Sequence, residues 1–106
     1  MKVSIIVPTK NSEEFIDRVL VNLINQHYTD MEIIVVDNFS TDSTRERVLP
    51  FVDQFYECGP ERTAQVNQGI LMAKGELIYV TGSDMCRDYD FIKDCVNKIK
   101  EGYDAV

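Results

Sequence analysis

The sequence predicts an α/β fold, a mostly parallel sheet with helices on both faces. Three observations predict it. Short continuous apolar runs alternate with stretches whose apolar residues recur at three and four positions. The breaks between them fall on Pro, Gly, Asn and Asp. Strand–helix alternation of that kind builds parallel sheets covered on both sides. With 106 residues, 44% apolar and 27% charged, the chain has material for one core and one domain, 1–106.

Val3–Val7 is an apolar, β-branched run closed by Pro8, the pattern of a strand buried on both faces. Phe15, Ile16, Val19, Leu20, Leu23 and Ile24 then mark a helix, with Asn11 at its N-cap and Glu14 three residues on. Glu32–Asp37 is the second strand. Its polar exit, Asp37 to Asp42, reads as turn and cap before a helix from about Asp42 to Phe51, disturbed by Pro50. Phe55–Cys58 forms a short third strand, and Pro60 opens a helix whose inner face carries Val66, Ile70 and Ala73 and which stops at Gly75. Leu77–Val80 is the fourth strand. A last helix, about Asp90 to Lys100, turns Phe91, Cys95, Val96 and Ile99 inward and ends at Gly102, and Tyr103–Val106 reads as the start of another strand.

The net charge of −7, with no Lys/Arg cluster, argues against nucleic acid as a partner. No apolar run reaches the roughly 20 residues of a membrane span. No signal-peptide pattern opens the chain, so a cytoplasmic location is expected. Cys58, Cys86 and Cys95 are odd in number and lack C-x-x-C spacing, which reads as reduced thiols.

In open α/β sheets, ligands bind beyond the carboxyl ends of the strands. That rule selects Pro8–Asn11, Asp37–Asp42 and Thr81–Asp88. The first of these has no glycine, so neither G-x-G-x-x-G nor a P-loop is present to cradle a diphosphate on backbone amides. A cation on a carboxylate is the economical remaining device, and Asp84 in Thr81–Asp88 could hold Mg²⁺ or Mn²⁺. The same spacing is equally compatible with Asp84 or Asp88 capping a turn or helix.

At these loops the sequence resembles the inverting family 2 glycosyltransferases of GT-A fold. The resemblance is carried by Val3-Ser4-Ile5-Ile6-Val7-Pro8-Thr9-Lys10-Asn11, by Ile34-Val35-Val36-Asp37-Asn38-Phe39-Ser40-Thr41-Asp42-Ser43-Thr44, by Asn67-Gln68-Gly69-Ile70 with Ala73-Lys74-Gly75-Glu76, and by Leu77–Asp84. It implies a truncated, Rossmann-like GT-A fold that binds a nucleoside-diphosphate sugar such as a UDP-sugar, with Mn²⁺ or Mg²⁺ as cofactor. It further implies that Pro8, Thr9 and Asn11 line the nucleoside pocket, Asp37 and Asn38 meet the base, Arg62 approaches the diphosphate, Ser83 supports the donor and Asp84 ligates the metal. Gly82 stands where the family's D-x-D motif has its first Asp. No residue matches the family's downstream catalytic base, so the catalytic residue is unassigned and the chain is expected to supply the donor half without the acceptor half. The alternative is a non-catalytic or self-associating module, since a missing half would bare apolar surface for homo-oligomers. Pro8-Thr9-Lys10 argues against a phospho-acceptor receiver domain, which normally carries a paired acidic cluster after strand one.

Outside the loops, His27 reads as a helix C-terminal residue favoured by the dipole, Met72 as core filler, and Tyr89, Phe91 and Tyr103 as packing residues. Lys10 reads equally as a phosphate neutraliser or a solvated lysine.

Overall fold

The computed structural model describes residues 1–82 and 86–102. Its elements follow the order β1 (Val3–Thr9), α1 (Ile16–Ile24), β2 (Met31–Asp37), α2 (Thr44–Val48) running into a 3₁₀ turn (Leu49–Phe51), β3 (Gln54–Glu57), α3 (Arg62–Met72), β4 (Leu77–Val80) and α4 (Phe91–Lys100). The strands form one parallel sheet in the order β3-β2-β1-β4. Strand order therefore reverses between β1 and β4, which makes their carboxyl ends the switch point.

Alternate side chains divide the sheet into two faces. Val3, Ile5, Val7, Ile33 and Val35 pack against Ile16, Val19, Leu20 and Leu23 of α1, Val48 of α2, and Ile92 and Val96 of α4. The opposite face carries Ile6 and receives α3. Gly69 allows that approach, since a Cβ there would lie 2.6 Å from Ile6 Cγ2.

Several sequence expectations need correction. Helix α1 begins at Ile16 with Phe15 at its N-cap, and no side chain caps it. Asn11 instead takes a left-handed φ of 48° and its side chain serves another loop. The buried face of α3 is Gln65 and Gly69, not Val66, Ile70 and Ala73; Ile70 and Met72 are exposed. Gly75 does not stop α3, which ends at Met72. It permits close packing, because a Cβ would sit 2.7 Å from Ser4 N and 2.8 Å from Lys2 O. Helix α4 buries Ile92 and Val96, with Ile92 added to the expected face. His27 lies three residues beyond α1, with Nδ1 2.8 Å from Asp90 Oδ1, so it ties the end of α1 to the start of α4. Gly102 ends α4 at φ 105° as expected, and the strand anticipated at 103–106 lies outside the described residues.

At the amino end of the sheet a buried carboxylate is fully engaged. Glu32 Oε2 accepts from Ser4 Oγ (2.6 Å) and Lys74 N (2.7 Å), and Oε1 accepts from Gln54 Nε2 (2.9 Å). Burial alone would raise its pKa. The hydrogen bonds, with the charge of Lys2, outweigh burial and hold the carboxyl below its ordinary value.

Candidate functional site

The backbone of β1 creates the opening. Its even-numbered residues bond toward β4, and Thr81 N–H donates to Ile6 O at 3.0 Å as the last such link. The next donor on that side would be residue 8, a proline with no N–H. Pairing with β4 stops at Ile6, while pairing with β2 continues to Thr9. Beyond this point lies a cleft of about 430 Å³ lined by Pro8, Thr9, Lys10, Asn38, Pro60, Arg62, Gln65 and Gly82.

Of the predicted site residues, Pro8, Thr9, Asn38 and Arg62 line this cleft, while Asn11 and Asp37 stand behind it. Asp37 is buried at the end of β2. Its Oδ1 accepts from Thr9 Oγ1 and Ser40 Oγ, both at 2.6 Å, and its Oδ2 accepts from Ser40 N at 2.8 Å. The Thr9 hydroxyl is thereby committed to Asp37, so Thr9 offers the cleft chiefly its backbone. Asn11 N donates to Ser40 Oγ (2.8 Å), and Thr41 N donates to Asn11 Oδ1 (2.9 Å). With Ser12 N on Thr44 Oγ1 and Glu13 N on Asp42 Oδ2, these bonds stitch the loop after β1 to the loop after β2. Ser83 and Asp84 lie outside the described residues.

Asn38 donates Nδ2–H to Pro60 O at 2.7 Å, which turns its Oδ1 toward Gly59. A Cβ at Gly59 would lie 2.2 Å from that oxygen, so Gly59 is required for the contact. The peptide bond to Pro60 is cis. Phe39, next in sequence, holds a left-handed φ of 49° although it is bulky and exposed.

Sequence reasoning missed Gln65 and Pro60. Gln65 is buried, and its Nε2 donates to Thr9 O (2.9 Å) and Val36 O (2.7 Å). The apolar pattern gave no sign of it, because that pattern pointed to Val66, Ile70 and Ala73 as the inner face of the helix. Among the described residues the lining brings together two cations, Lys10 and Arg62, and two amides, and no carboxylate. Among the described residues no group of three or more His, Cys, Asp or Glu could hold a metal ion. No helix among the described residues is long and apolar enough to cross a membrane.

The sequence model of glycosyl transferase family 2 matches residues 4–106. The chain belongs to this family. As a family 2 glycosyltransferase chain it is 30% identical, over 96% of its length, to a GalNAc(5)-diNAcBac-PP-undecaprenol beta-1,3-glucosyltransferase of Campylobacter jejuni, covering 36% of that protein. It is 32% identical over its whole length to the poly(ribitol-phosphate) beta-N-acetylglucosaminyltransferase TarS of Staphylococcus aureus, covering 20% of it. The crystal structure of TarS in complex with UDP-GlcNAc superimposes with a TM-score of 0.82 at 31% identity, over 95% of this chain and 32% of that one. A mannosyltransferase from Pyrobaculum calidifontis in complex with GDP-Man and Mn²⁺ gives a TM-score of 0.78 at 30% identity, over 89% and 31% of the two chains. The GT-A fold expected for this family 2 chain is therefore its fold. It spans about a third or less of the relatives it matches.

Proposed function

We propose that this chain binds a nucleoside-diphosphate sugar in the cleft between β1 and β4 and forms the donor half of a family 2 glycosyltransferase. The cleft itself carries this reading. Two cationic side chains stand on its wall, and neutral amides hold its interior, a distribution suited to a diphosphate joined to a base and ribose. Arg62, at the first turn of α3, can approach phosphate oxygens, and Lys10 can neutralise them. Asn38 Oδ1 is an acceptor for a base N–H.

The full reaction is an inverting displacement at the anomeric carbon. An acceptor oxygen forms the new bond to that carbon, the bond to the diphosphate breaks, and the acceptor proton passes to a general base to which no residue of this chain is assigned. A divalent ion, Mn²⁺ or Mg²⁺, would offset charge on the departing diphosphate, with Asp84 as its protein ligand. The Mn²⁺ bound by the Pyrobaculum mannosyltransferase supports this part.

Calorimetric titration of UDP and GDP, with and without Mn²⁺, tests the reading. Binding of at least one nucleotide is expected, tightened by Mn²⁺, with the metal effect lost in Asp84→Asn. Absence of heat for both nucleotides under all conditions would refute donor binding. A metal effect unchanged in Asp84→Asn would refute the assignment of that residue.

A further inference from the structure

We propose that Gln65 is the positioning residue of the cleft, clamping the carboxyl ends of β1 and β2 to α3 so that both cleft walls hold the spacing a nucleotide needs. The inference rests on the donor-binding reading above. A helix that needed only to adhere to the sheet would present an apolar residue at this inward position, avoiding the cost of burying an amide. Gln65 instead places one nitrogen against two carbonyls on adjacent strands, Thr9 O and Val36 O. Thr9 O already accepts from Asn38 N at 2.9 Å, so the amide is not rescuing an orphaned group there. Because both partners are acceptors, the side-chain orientation is fixed: Nε2 faces the strands and Oε1 is the atom left over. One turn earlier on the same helix is Arg62, and Pro60, just before it, accepts from Asn38. One turn later is Gly69, which lets α3 descend onto Ile6. Gly69 sets the depth of the helix and Gln65 fixes the strand ends beneath it. Thr9 on one wall and Arg62 on the other are thereby held through one residue that also lines the cleft.

The test compares wild type with Gln65→Met, which keeps the bulk and removes the donor, and Gln65→Glu, which sets a carboxylate against two carbonyl oxygens. UDP and GDP binding with Mn²⁺ is measured by calorimetry well below each variant's melting temperature, at about pH 8 and about pH 5.5. Gln65→Met is expected to lose about tenfold in affinity at both pH values. Gln65→Glu should lose as much at the higher pH and recover toward wild type at the lower, where a protonated carboxyl can donate to one carbonyl again. A purely structural residue would shift melting temperature without this pH-dependent recovery of affinity in the folded protein. Wild-type binding matched by both variants would overturn the clamp and leave the donor-binding reading intact. Wild type binding neither nucleotide would overturn both. If Gln65→Met does not fold, the pH comparison in Gln65→Glu decides alone. If neither variant folds, Gln65 belongs to the core only and the proposal fails.

Discussion

Replacing Asp37 tests whether that residue contacts ligand or holds the loops that do. In Asp37→Ala, three donors lose their acceptor: the hydroxyls of Thr9 and Ser40, and Ser40 N–H. Hydroxyls can rotate to new partners, but the backbone N–H cannot. One stranded N–H plus the loss of charge-assisted bonds amounts to about 3 kcal/mol. For a domain near this size that corresponds to a fall in melting temperature of roughly 10–20 °C. Asp37→Asn should behave differently. Its amide can turn so that the oxygen accepts from Ser40 N–H while the NH₂ donates to the two hydroxyls, limiting the loss to about 1 kcal/mol. Urea and thermal unfolding of both variants measure the gap. The reasoning is refuted if Asp37→Asn is as damaging as Asp37→Ala, or if Asp37→Ala costs less than about 1 kcal/mol.

Other expectations follow from the same contacts. Arg62→Ala, at an exposed position, should weaken UDP binding about tenfold while changing uridine binding and melting temperature little, as paired titrations would reveal. Glu32 has a lowered pKa in the folded state, so its contribution is present above the ordinary carboxylate range and is lost as pH falls through the folded value. The stability advantage of wild type over Glu32→Gln should therefore shrink below about pH 4.3, and a gap that widens on acidification would contradict this. Gly69→Ala would gain about 1 kcal/mol of helix propensity at an open site. Here the Cβ meets Ile6 Cγ2 at 2.6 Å, and overpacking of about 1–3 kcal/mol should reverse the sign; a stabilised variant would show that α3 can rise freely.

The strands and the amphipathic helices were legible because local pattern and tertiary burial agree in them. All seven residues of β1 are buried, and α1 buries four of its predicted apolar positions. Helix α3 defied the pattern because an amide and a glycine form its buried face, chosen for two carbonyls and for one isoleucine that lie far away in sequence. Gly75 looked like a helix stop, yet what it requires is space beside the backbone of β1, as Gly59 requires it beside Asn38. In the site, the loops and half the cleft residues could be named from the switch-point rule and the family blocks. Neither source could separate Asp37 and Asn11, which brace the loops, from Asn38 and Arg62, which face the cleft. That distinction depends on where each side chain points, and spacing along the chain does not encode it.

The aperture beside the first strand is made by subtraction. A ring-closed nitrogen at Pro8 halts the zipper between neighbouring strands, and an empty place follows. Its place in the sheet is thus written into covalent backbone chemistry, while its spacing and chemical character are left to the side chains that stand around it.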